Sequence, residues 1–127
     1  MITFNLTKSE VNAVAMASCR IFKHTRLSYP EFCIRHPMMA VGWDRINAAQ
    51  AAGGVIDGDG NTDIAVTMSK RAMRVLLLNL TFLADRSEHG LGNAVLANGY
   101  DRMCAQAYVV GGKELIVGSQ DKAEYIK

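Results

Sequence analysis

Cys33 and His36 stand three residues apart, a spacing that suits half of a zinc site or a thiol nucleophile beside its base. Cys19 and His24 would have to complete the zinc set, but that pair is too loosely spaced to be diagnostic. A thiol enzyme would need a third group to orient the base, and none is identifiable. The segment Asp57-Gly58-Asp59-Gly60-Asn61-Thr62-Asp63 begins like a calcium loop, with carboxylates at loop positions one, three and seven. However, Thr62 stands where the sharp turn needs glycine, and Met68 where a bidentate glutamate belongs. A tight hairpin turn is the simpler account. Asp85, Glu88 and His89 offer acid–base groups with no nucleophile beside them. The sequence contains no phosphate loop, dinucleotide fingerprint, HExxH or GxSxG. No catalytic residue, metal site or cofactor is assigned, and the balance leans away from an enzyme.

Charge is more informative. Arg20, Lys23, His24, Arg26, Arg35 and His36 fall within a short stretch in which Glu31 is the only acid. A second cluster, Lys70, Arg71 and Arg74, falls in the first turn or so of a strongly amphipathic segment. Cations there oppose the positive end of the helix dipole by about 0.3–1 kcal/mol each. Something should offset them. Either the acidic turn just upstream lies nearby, or an external anion binds among backbone N–H groups and cationic side chains. The formal net charge of +2 is too small to make nucleic acid the default partner. Tyr29 is the one aromatic placed to stack between basic residues.

These groups need a scaffold. At 127 residues, half of them apolar, the chain fits one domain, 1–127, with one core. The three cysteines lack disulfide-framework spacing, the N-terminus has no secretory leader, and the longest apolar run cannot span a bilayer. A cytoplasmic protein with no membrane contact is expected.

Residues 2–6 alternate as a half-buried strand. Thr7 and Glu10 then form a capping box that opens a helix to about His24. Ser28 and Glu31 cap a short turn before Pro37, and helical spacing from Met39 closes at Gly53-Gly54. Val55-Ile56 and residues 64–68 read as a hairpin around the acidic turn. Ser69 caps a strong helix carrying Met73, Leu76, Leu77, Leu80, Leu83 and Ala84. A weaker helix spans 93–106, broken or bent at Asn98-Gly99. Tyr108-Val109-Val110 and Leu115-Ile116-Val117 then read as a second hairpin, a natural edge for pairing with another copy.

The expected fold is α+β, with two main amphipathic helices on one face of a mostly antiparallel sheet of about five strands. A shift of 62 residues superposes Ile2, Phe4, Leu6 and Thr7 on Ile64, Val66, Met68 and Ser69, which raises an internal duplication. The leading functional expectation is a non-catalytic binding protein, homo-oligomeric, acting through its surface on a protein partner. Accessory or inhibitory proteins of phage and mobile elements are often of this kind. The alternative is a binder of small anionic ligands or nucleic acid through Lys70, Arg71, Arg74 and the loop cations. A small thiol- or metal-dependent enzyme comes third.

Overall fold

Strand β1 (Ile2–Thr7) owes its existence to alternation: Ile2, Phe4 and Leu6 are buried while Thr3 and Asn5 face water. The computed structural model describes residues 1–53, 62–86, 94–111 and 126. At Thr7 the chain turns into α1 (Lys8–Thr25) through the expected reciprocal cap. The Glu10 amide donates to Thr7 Oγ1 at 3.1 Å, and the Thr7 amide donates to Glu10 Oε1 at 2.8 Å. Helix α1 ends where Arg26 adopts a left-handed conformation (φ 57°), a common way to stop a helix and a strained one for arginine.

Ser28 caps the short α2 (Tyr29–Arg35), with Pro30 in its first turn, where a missing N–H costs nothing. Pro37 then opens α3 (Pro37–Gly53). Strand β2 (Asp63–Met68) leads through the Ser69 cap into α4 (Lys70–Arg86), whose apolar stripe buries Met73, Leu76, Leu77 and Leu80. Helix α5 (Ala94–Gly111) runs without a break through Asn98-Gly99.

The five-strand sheet is therefore wrong. Among the described residues the protein is mostly helical, and its sheet is a two-stranded antiparallel ribbon of β1 and β2. Two misassigned elements account for most of the difference. Tyr108, Val109 and Val110 belong to the last turns of α5. Their run of bulky and β-branched residues looks like a strand, but the helix they finish buries Leu96, Met103 and Ala107 and sets the local structure. Among the described residues, strand β2 pairs with β1, far away in sequence. Val55-Ile56, the acidic turn through Asn61 and the expected strand 115–117 lie outside the described residues, as do the side chains of Leu83, Ala84 and Asp85.

The ribbon has an internal symmetry. Ile2 opposes Met68, Phe4 opposes Val66 and Leu6 opposes Ile64, so a twofold axis between Phe4 and Val66 exchanges the strands at the 62-residue offset. The helices follow it. Helix α5 packs on α1 and along β1, while α3 packs on α4 and along β2. A Cβ on Gly99 would lie 3.3 Å from the Glu10 Cβ and close to Val14; one on Gly42 would lie 3.4 Å from the Ala72 carbonyl oxygen and close to Leu76. Glu10 and Val14 are related to Ala72 and Leu76 by that same offset. Each unit thus lends a glycine to let a helix approach the first turn of the other unit's helix.

Around those glycines the sequences match as well. Met39-Ala40-Val41-Gly42-Trp43-Asp44-Arg45-Ile46 lies against Leu96-Ala97-Asn98-Gly99-Tyr100-Asp101-Arg102-Met103, at an offset of 57 residues. The repeating unit is strand, capped helix, crossing helix.

Candidate functional site

The first basic cluster occupies the exits of two successive helices. Lys23 and His24 close α1 and Arg26 is its left-handed cap; Arg35 closes α2 and His36 caps it. Cations at these ends complement the helix dipole rather than oppose it. Their placement has a local electrostatic reason, which the unassigned helix boundaries of residues 25–37 concealed. Lys23, Arg26 and Arg35 are exposed, Arg20 partly so, and the His36 ring rests 5.6 Å from that of Phe32.

Lys70 and Arg71 lie exposed at the start of α4, with Arg74 half-buried one turn on and no acid in that first turn. Asp63 is not the neighbour that offsets them. It begins β2 while Lys70 follows its end, roughly 20 Å away along an extended six-residue strand. Asp63 instead accepts a hydrogen bond from Arg102 Nη2 at 3.3 Å. Asp57 and Asp59 lie outside the described residues.

Helix α2 is positioned by an aromatic cluster. Buried Phe32 meets Phe22 of α1 edge-on at 5.1 Å and Trp43 of α3 at 6.3 Å, while Tyr29 meets both Phe22 and Trp43 at 6.1 Å. Between α2 and α3 an open groove of about 260 Å³ is lined by Tyr29, Cys33, Pro37, Ala40, Val41 and Asp44. Large apolar side chains are exposed on these two helices: Ile34 is 79% exposed, Tyr29 49% and Val41 40%. A hydrogen bond with Cys33, then partial burial and the charge of Asp44, hold the Tyr29 phenol above its ordinary pKa.

The same surface carries the first of the candidate thiols. Cys33 faces Tyr29, and among the described residues no three histidine, cysteine or acidic side chains converge to hold a metal. Cys19, Cys33 and Cys104 are free thiols. Burial raises the Cys104 pKa, against a hydrogen bond from Tyr100, which makes it a poor nucleophile at neutral pH.

One interaction in the second unit shows what an arginine can do at this kind of helix crossing. Arg102 Nη1 donates to Glu10 Oε1 at 2.6 Å, the oxygen that also accepts from the Thr7 amide. Partial burial works against the Arg102 charge, but the hydrogen bond and charge of Glu10, helped by Asp63, outweigh it and raise the guanidinium pKa. Arg45, its counterpart in the repeat, is exposed. Among the described residues, Arg45, Lys23, Arg26, Arg35 and Lys70 enter no ion pair.

Ile34, Val41 and Arg45 were not apparent as site residues from sequence alone. The i, i+4 pairing of Val41 with Arg45 on the exposed stripe of α3 is the signal that points to two of them. Among the described residues, no helix is long and apolar enough to cross a membrane. Comparison with protein families, with curated proteins and with solved structures finds no match.

Proposed function

We propose that this chain is a non-catalytic binding protein that captures a protein partner on the face formed by α2 and α3. The observation that carries this is the groove between those helices, lined in part by exposed Tyr29 and Val41, with Ile34 exposed on the same helix as Tyr29. Contiguous exposed apolar surface is costly for a soluble chain to keep and commonly marks a contact site. The excess of cations in the sequence that carries it suits a partner of opposite sign. Between Arg20 and Arg45 the sequence holds Arg20, Lys23, Arg26, Arg35 and Arg45 against only Glu31 and Asp44. Charge of this kind steers encounter, while apolar anchors supply the affinity. Three free thiols fit work in a reducing compartment such as the cytoplasm.

The test is affinity capture, followed by calorimetry with the purified partner and with Ile34→Asp and Val41→Gln chains. Both substitutions are on the surface and should leave the melting temperature nearly unchanged while weakening the complex by tenfold or more. A partner that binds both variants as tightly as the parent would overturn the assignment of this face.

A second reading has its own observation, the start of α4 with Lys70, Arg71 and Arg74 and no acid in that turn. It makes the chain a binder of anionic ligands or nucleic acid. Anisotropy of a labelled oligonucleotide across a salt series tests it. Binding that weakens steeply with salt and is lost in Lys70→Ala supports that reading; no binding at low salt removes it.

A further inference from the structure

We infer that Arg45 is the carboxylate receptor of the α2–α3 face, so that the partner's docking segment must offer it an acidic side chain. This rests on the protein-binding reading above and adds a specificity determinant to it.

The argument begins with the repeat. Gly42 and Gly99 bring α3 and α5 against the same turn of α4 and α1, and Arg45 and Arg102 stand three residues beyond them. In the second unit the arginine is satisfied within the chain by Glu10 and Asp63. In the first unit the 62-residue offset puts Ala72 in the place of Glu10, and Met1 in the place of Asp63. The arginine is kept and both acids are gone. Arg45 is accordingly exposed and, among the described residues, forms no ion pair. Lys70, exposed in the same turn of α4 as Ala72, adds a second such cation.

Arg45 also lies beside the groove. It follows Val41 by one helical turn, and Val41 lines the groove. On the α3 wheel Arg45 falls between Val41 and Gly42, that is, between the groove and the contact with α4. A partner placing an apolar side chain in the groove would bring a carboxylate about one turn away, roughly 5–6 Å, within reach of Arg45. Guanidinium–carboxylate pairing then selects an acidic over an amide side chain at that position.

The probes are two N-acetylated, C-amidated peptides, Leu-Ala-Ala-Ala-Glu and Leu-Ala-Ala-Ala-Gln, titrated into the full chain and followed through its amide NMR shifts. The expected result is a saturable shift at Val41 and Arg45 with the glutamate peptide, at least several-fold weaker with the glutamine peptide. Arg45→Gln should abolish the difference between peptides. Ala72→Glu should do the same by supplying from within the carboxylate that Glu10 supplies to Arg102; if that variant does not fold, Arg45→Gln decides. Equal binding of both peptides to the parent chain, lost in Val41→Gln, would keep the docking face and remove Arg45 from it. No shift at α2 or α3 with either peptide would overturn both proposals.

Discussion

Residues 1–53 and 62–111 build the same unit of strand, capped helix and crossing helix, yet they are tied into the fold differently. The second unit is tied to the first. Arg102 pins α5 to the start of α1 and β2, and Gln106 binds the edge of β1. The first unit lacks both ties: Arg45 has no acid at the matching positions, and Ala49 stands where Gln106 would. In exchange it carries α2, the aromatic cluster and the apolar groove. When a fold contains one structural element twice, one copy can hold the molecule together while the other is left open to contact. Where the copies differ is where function is to be sought.

The strongest way to break that contrast is to remove what, among the described residues, the first unit alone has. Phe32→Ala empties a fully buried site at the centre of the aromatic cluster and should cost about 3–5 kcal/mol. Chemical denaturation would measure it, and partner binding should fail together with stability. A loss below about 1 kcal/mol would mean that α2 is not anchored as described.

The second unit can be made to resemble the first with Glu10→Ala. It deletes half of the capping box and the main partner of Arg102, for a cost of about 2–3 kcal/mol. Much of that loss should disappear in an Arg102→Gln background, as a double-mutant cycle would record. Additive losses would show that the two side chains are not coupled.

The smallest expected effect is alkaline. Burial pushes Tyr100 and Cys104 up from ordinary values of 10.0 and 9.0. The folded chain therefore keeps protons that the unfolded chain releases. Their contribution is complete below about pH 9 and is lost as pH rises through the higher folded values. The matching positions of the first unit are Trp43 and Asn47, which do not titrate. A Tyr100→Phe, Cys104→Ser chain should show a flatter decline in melting temperature above pH 9, and an unchanged decline would locate the sensitivity elsewhere.

Much of this architecture can be read in the residues. The Thr7–Glu10 box, the alternation of β1 and β2 and the stripe of α4 are local patterns whose spacing dictates their geometry. What local patterns cannot supply is the pairing partner. Residues 64–68 read as a strand, and nothing nearby reveals that they close on β1, some sixty residues away. Tyr108-Val109-Val110 misleads because strand preference was outweighed by helical context. Asn98-Gly99 looks like a break, whereas Gly99 is there to let α5 approach Glu10. The repeat around Gly42 and Gly99 is present in the sequence, but at an offset of 57 rather than 62, so a comparison at one constant shift passes over it. Of the candidate site, the groove was not legible, because it arises only when α2 is laid against α3.

Gln106 has a consequence beyond holding α5 in place. Its amide accepts from the Asn5 N–H and donates to the Asn5 carbonyl, both at 2.7 Å, as a neighbouring strand would. A ribbon of only two strands ordinarily invites other chains to add to it, the first step toward cross-β fibres. With both main-chain groups of Asn5 already engaged, the middle of that margin offers no foothold for an incoming chain. A single side chain thus stands where an added strand would hydrogen-bond to Asn5.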